Sequence, residues 1–188
     1  MSVALPQQKM TVAEFLAWWE SVPGDERFEL VDGQVVAMGR DRVSHNLAKL
    51  RAVNSLATAI REAGLDCIAF TDGVGVSAGQ FSYRLPDAVV HCGEIGRDAL
   101  IVDNPVIAVE VVSPSSEERD VHAKLHDYFA IASVQHHLIV YEDRGYIVHH
   151  RRTETGPLQT TFVTEGAIDL SPPGIRVSVS ELLGKTDR

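Results

Sequence analysis

Residues 105–113 read PVIAVEVVS, and residues 86–92 upstream of them read PDAVVHC. Both runs are rich in β-branched residues and fall between turn-forming stretches, so they predict two strands of buried character, Tyr83–Cys92 and Pro105–Ser113. Each carries a carboxylate. Asp87 follows Pro86, and Glu110 is flanked by Ile107, Ala108, Val109, Val111 and Val112. A carboxylate inside a buried run is costly unless it is paired or bound to a cation. Glu110 therefore has two readings: a salt bridge to a basic residue, or a cation shared with Asp87 on the next strand.

Two such acids could hold a hard divalent cation, magnesium with manganese as a substitute, leaving coordination positions for water and a phosphate oxygen. The ion would lower the pKa of bound water and offset charge developing on a phosphate. A cationic side chain should complete the set, and Lys124 is the candidate. It lies on a helix predicted from about Glu117 to Ile131, capped by Ser115 or Ser116, with Asp120 one turn before it and Tyr128 one turn after. The plain alternative is an exposed Asp–Lys helix pair worth about 0.3–0.5 kcal/mol.

Outward from this centre the pattern stays alternating α and β. Thr11 with Glu14 forms a capping box ahead of Phe15, Leu16 and Trp19, and Pro23-Gly24 stops that helix. Phe28–Val31 and Gln34–Met38 flank Asp32-Gly33, which predicts a hairpin with a type I′ turn. Ser44–Ala63, with Leu47, Leu50, Leu56 and Ile60, predicts a long amphipathic helix ending at Gly64. Asp66–Thr71 and His136–Glu142 add strands to the two central ones. The order from residue 44 to about 142 is thus helix, three strands, helix, strand, an α/β (α+β) fold with a mixed sheet. Gly145–Arg152 and Leu158–Val163 predict further strands, and a short tail after Pro172-Pro173-Gly174 brings Val177, Val179 and Leu182 to pack down.

The 188 residues are consistent with one domain, 1–188. Apolar runs are far shorter than the roughly 18 residues needed to span a bilayer, and the first ten residues do not read as a secretory signal, so a cytoplasmic location without membrane association is expected. Cys67 and Cys92 read as plain thiols rather than a disulfide framework. The net charge of −9 counts against a partner held by bulk electrostatics, although a local basic rim can still contact phosphates. Among eight histidines, His122 and His126 have a spacing that suits zinc. However, no His-Glu-x-x-His string is present, and the adjacent pairs His136-His137 and His149-His150 should point to opposite faces of a strand. Gly73, Gly75 and Gly79 lack the strand-to-helix context of a phosphate-binding loop.

The strings FELVDG (Phe28–Gly33), PDAVV (Pro86–Val90) and AVEVVSPSS (Ala108–Ser116), with the spacing of Asp120, Lys124 and Tyr128, resemble the Uma-two family of restriction endonucleases. That family is a branch of the PD-(D/E)XK nucleases, and the resemblance spans about Met10 to Leu183. It implies the αβββαβ restriction-endonuclease-like core, a divalent metal, hydrolysis of phosphodiester bonds in DNA, duplex by expectation, and a homodimer. By resemblance, Asp87, Glu110 and Lys124 are catalytic, Asp87 and Glu110 bind the metal, and Val111 adds its backbone carbonyl. Glu29, His45, Asp120 and Tyr128 are supporting residues; for Glu29 the plain reading is the solvent face of its strand. Val112 stands where the wider class has its lysine, a departure shared by Uma-like members, whose lysine lies on the next helix. With the acidic net charge, this departure motivates a rival, a nuclease-fold subunit that binds DNA or assembles without cutting.

Overall fold

The computed structural model describes residues 4–112 and 118–185, with side chains from residue 121 onward in the second segment. The proposed caps Ser115 and Ser116 lie outside the described residues. Helix α1 (Val12–Ser21) has the expected capping box: the Glu14 N–H donates to the Thr11 hydroxyl, and the Glu14 carboxylate accepts from the Thr11 backbone N–H. Strands β1 (Phe28–Val31) and β2 (Gln34–Ala37) form the hairpin. Its two turn residues, Asp32 and Gly33, take φ of 49° and 81°, the left-handed pair a type I′ turn requires.

Helix α2 (Val43–Ala63) ends at Gly64 in the left-handed conformation, as expected. Its buried face is rotated from the one read in the sequence. Ala48, Ala52, Leu56, Ala59 and Ile60 are buried, whereas Leu47 and Leu50 are 47% and 54% exposed. Alanines let the helix axis approach the sheet closely, and close packing of backbone and neighbouring side chains outweighs burying two leucines at the cost of a gap.

Four short strands form one sheet in the order β2-β1-β5-β4, where β4 is Val76–Ser77 and β5 is Tyr83–Arg84. The larger sheet contains β3 (Cys67–Thr71), β6 (Ala88–Cys92), β7 (Pro105–Val111), β8 (His136–Tyr141), β9 (Tyr146–Arg151) and β10 (Gln159–Val163), in the order β10-β9-β8-β7-β6-β3. Helix α3 (Glu118–Ala130) crosses between β7 and β8, which pair in parallel; the other pairs of this sheet are antiparallel. From α2 to β8 the core thus has the expected order, with β4 and β5 inserted as part of the smaller sheet.

Three expectations are corrected. The single strand Tyr83–Cys92 is two strands in two different sheets, broken around Pro86, which has no N–H to continue a ladder. Asp87 consequently sits just ahead of β6 rather than inside a strand. Cys67 and Cys92 are not free thiols: they stand opposite each other in the β3–β6 register, Cα atoms 3.9 Å apart, and form a disulfide. The thiol argument for the cytoplasm falls away with them. The C-terminal tail is a hairpin of β11 (Ala167–Leu170) and β12 (Ile175–Ser178) followed by α4 (Val179–Leu182), and its apolar residues join the core under α2.

Side chains alternate across the large sheet. Ala88, Val90, Ile107, Val109, Val111, Leu138 and Val140 pack in one cluster with α2, while Val89 and Ala108 pack with Tyr128, Ile131 and Val134 around α3. Glu110 lies between Val109 and Val111, so the period-2 alternation turns it toward α3. The strand's own geometry brings the acid to the helix that carries Lys124.

Candidate active site

β6 and β7 run antiparallel with Ala88 opposite Val109, so the start of one strand lies beside the end of the other. This brings Asp87 and Glu110 together, and both line a cavity of about 620 Å³. Glu29, His45, Val111 and Lys124 line the same cavity. Tyr128 reaches it through Glu110, to which its hydroxyl donates. Asp120 lies in α3, but its side chain is outside the described residues.

Asp87 is anchored on both oxygens. Oδ2 accepts from the Val111 N–H at 2.7 Å, and Oδ1 is 3.2 Å from Lys49 Nζ and 3.7 Å from His45 Nε2. Burial alone would raise its proton affinity, but His45, Lys49 and the Val111 N–H outweigh that and hold the carboxyl below its ordinary value. In return Asp87 raises the His45 pKa against the effect of burial.

Glu110 has the opposite balance. Lys124 Nζ donates to Oε2 at 3.0 Å, and Tyr128 donates to Oε1. Burial, with Asp87 and Glu29 adding negative charge, pushes its pKa up to about 7 despite Lys124 and Tyr128. Lys124 is itself shared, its Nζ lying 3.4 Å from Glu29. Both readings raised for Glu110 therefore have a counterpart: it has a lysine partner, and it also crowds two other acids.

Glu29 is not on a solvent face. It is 5% exposed, accepts from the Leu85 N–H at 3.0 Å, and pairs with Arg84 at 3.0 Å. Arg84 in turn donates to Asp127 at 2.6 Å.

Sequence reasoning missed Lys49, Arg84, Asp41 and Asp72. Lys49 is 2% exposed and binds Asp41 at 2.5 Å and Asp72 at 2.8 Å as well as Asp87. Burial works against its charge, and the three carboxylates more than compensate, so its pKa is raised. One signal was available: Lys49 follows His45 by four residues, one turn along the same helix face.

The histidines separate by face. His137 stands opposite His150 in the β8–β9 register, with stacked rings, while the His136 and His149 rings meet at 2.9 Å on the other face. Burial lowers the pKa of all four, His136 and His149 to about 4 and His137 to about 3. Among the described residues, no group of three or more His, Cys, Asp or Glu is placed to hold a metal, so the histidines give zinc no cluster and a cation at Asp87 and Glu110 would have two carboxylates as its side-chain ligands.

Two buried carboxylates on one cavity, of which Asp87 adds to the cost of ionising Glu110, beside the backbone of Val111, fit a hard divalent cation in donor chemistry. Such a cation relieves the repulsion and prefers oxygen ligands. Arg40, Arg42, Lys49, Arg84 and Lys124 line the cavity beside the acids Glu29, Asp41, Asp87 and Glu110, so the lining is close to balanced in charge although the whole chain is acidic.

A family model described as "Uma2: Putative restriction endonuclease" matches residues 12–182. A Synechocystis sp. protein, "Uncharacterized protein slr1290", is 25% identical over 181 residues, covering 95% of this chain and 93% of that protein. Among solved structures, one from Anabaena variabilis described as "a putative nuclease belonging to DUF820" superposes with a TM-score of 0.72 at 16% identity, covering 94% of this chain and 98% of the other. That likeness establishes the fold. Among the described residues, no helix is long and apolar enough to cross a membrane.

Proposed function

Since the chain belongs to the Uma2 family, matched over residues 12–182, we propose that it is a one-domain endonuclease that hydrolyses DNA phosphodiester bonds with a divalent metal, magnesium or manganese. The observation that carries this reading is the convergence of Asp87 and Glu110 on one cavity with Lys124 at hydrogen-bonding distance from Glu110.

Asp87 and Glu110, with the Val111 carbonyl, would hold the ion, which would supply an acidified water and charge neutralisation at the phosphate. The protein's own groups divide the remaining work. The Val111 N–H and Lys49 fix the Asp87 carboxylate in orientation and ionised, so one ligand is ready before any cation arrives. Tyr128 fixes Glu110 from the opposite side. Lys124 has an ammonium between Glu110 and Glu29, from which it can orient a water for attack and offset charge on a phosphate oxygen. Arg84, raised in pKa by Glu29 and Asp127 against its burial, anchors Glu29 and so keeps Lys124 facing the cavity.

Incubating supercoiled plasmid with purified protein and magnesium tests the reading: nicking by the wild type and none by Asp87→Ala at matched purity is expected. Equal nicking by both would refute the site. A second reading, a DNA-binding subunit that does not cut, is favoured by one observation: Asp87 and Glu110 each have a lysine partner, Lys49 and Lys124. Calorimetry that finds no heat of magnesium or manganese binding to the folded protein would select it.

A further inference from the structure

The cavity has two unlike sets of lining residues. One carries the charged groups; the other is aliphatic, Val31, Val36, Met38, Val112 and Val121, of which Met38 also packs against the core of the smaller sheet. The hairpin register explains the arrangement. Val36 pairs directly with Glu29, so the two side chains stand side by side on one face of β1 and β2, while Phe28, Leu30 and Val35 are buried in the core of the smaller sheet. Val36 is nevertheless 45% exposed, an apolar side chain presented to the cavity.

The acids lie at the floor. Glu29, Asp87 and Glu110 are 5%, 5% and 8% exposed, so a phosphate that reaches them must enter the cavity. At the rim, Arg40 and Arg42 are exposed and form no ion pair with any described residue. They are unspent positive charge beside the entrance, in a chain whose net charge is −9.

Paired DNA offers the aliphatic groups no base face, because its bases are stacked and show only edges in the grooves, with the thymine methyl as the one apolar group there. An unpaired nucleotide offers both halves of what the cavity accepts, a base face for the aliphatic wall and a phosphate for the floor. We propose that the substrate is a DNA strand with an unpaired nucleotide at the scissile position, its base on Val36 and Met38 and its flanking phosphates on Arg40 and Arg42. This deepens the nuclease reading above and rests on it, and it replaces the fully paired duplex expected from the resemblance.

Fluorescence anisotropy with calcium in place of magnesium reads binding without cleavage. Three labelled probes of equal length are compared: a single strand, a fully paired duplex, and the same duplex with a bulge of three unpaired nucleotides. The single strand and the bulged duplex are expected to bind at least about tenfold more tightly than the paired duplex. The double variant Val36→Thr, Met38→Gln should reduce that preference to less than about threefold while circular dichroism stays unchanged. Arg40→Ala with Arg42→Ala should weaken all three probes and flatten their salt dependence. Equal or tighter binding of the paired duplex would overturn the unpaired-nucleotide proposal and leave the nuclease reading standing. A preference that survives the Val36 and Met38 substitutions would overturn the assigned wall. Failure of every probe to bind would remove the nuclease reading, and this proposal with it.

Discussion

Asp87, just ahead of β6, and Glu110, on the neighbouring β7, line one cavity, yet their surroundings move their proton affinities in opposite directions. Asp87 faces two cationic side chains, Lys49 and His45, and a backbone N–H, and these overcome its burial. Glu110 faces one lysine, shared with Glu29, and burial wins. The difference teaches that the sign of a buried acid's shift is set by how many donors it has to itself, not by depth alone. It also divides labour in the proposed site: the ionised form is favoured at Asp87, whereas at Glu110 an arriving cation competes with a proton.

The strongest way to break this comparison is to remove each acid in turn. Asp87→Ala and Glu110→Ala are both expected to lower plasmid nicking by at least about 10³-fold, since each would remove a ligand of the same ion. A variant that retained more than a tenth of the wild-type rate would show that the two acids do not share one task.

Next come the two lysines, compared by urea denaturation at pH 7 in EDTA. Lys49→Met removes the most buried counter-charge of Asp87 and Asp72 and should cost about 3 kcal/mol, the low end for a broken buried pair because Arg27 still pairs with Asp72 and His45 still faces Asp87. Lys124→Met should cost clearly less, because Glu110, with a pKa of about 7, can take up a proton instead. Equal costs would mean that the contrast between the two halves has no energetic weight.

The pH dependence of stability in EDTA is a smaller effect with a defined sign. The folded pKa of Glu110 is raised from 4.5 to about 7, so the folded state binds the extra proton in that window. The associated stability is present below about pH 4.5 and is lost as pH rises through about 7, on the order of 3 kcal/mol in all. Glu110→Gln should flatten this slope. Asp87 acts oppositely: its folded value is lowered, so its contribution is present above 3.8 and is lost as pH falls below that value. Asp87→Asn should remove the Asp87 share of the acid-side loss and, by taking away one of the charges that raise Glu110, shift the neutral-side slope to lower pH.

The mildest test is Tyr128→Phe. It deletes one hydrogen bond to a charged acceptor, worth about 1–2 kcal/mol. Because Tyr128 favours the ionised Glu110, its loss should move the neutral-side slope to higher pH. An unmoved slope would show that Tyr128 packs against Glu110 without controlling its proton.

Much of the frame was legible locally. The capping box at Thr11, the left-handed Asp32-Gly33 pair and the glycine stop at Gly64 each depend on neighbours within a few residues, and each occurs as read. Glu110 announced itself because a carboxylate in PVIAVEVV demands a partner. Lys49 gave only the faint signal of its spacing from His45, and Arg84 gave none, since an isolated basic residue has no pattern of its own. Their partners are distant in sequence: Lys49 meets Asp72 across 23 positions, and Arg84 meets Asp127 and Glu29 across 43 and 55. The rotated face of α2 was hidden for a related reason, because hydrophobicity favours leucine whereas the sheet accepted alanine.

By itself, then, the sequence determined the succession of helices and strands and the two acids that need explaining, because backbone propensity, capping and side-chain alternation are short-range. Only the tertiary structure decided that β5 and β6 part at Pro86 into different sheets, that Cys67 meets Cys92, and that the proton affinity of Asp87 is lowered while that of Glu110 is raised. Those outcomes depend on which charges and surfaces the fold brings within a few ångströms, and electrostatic and packing energies follow distance in space rather than along the chain.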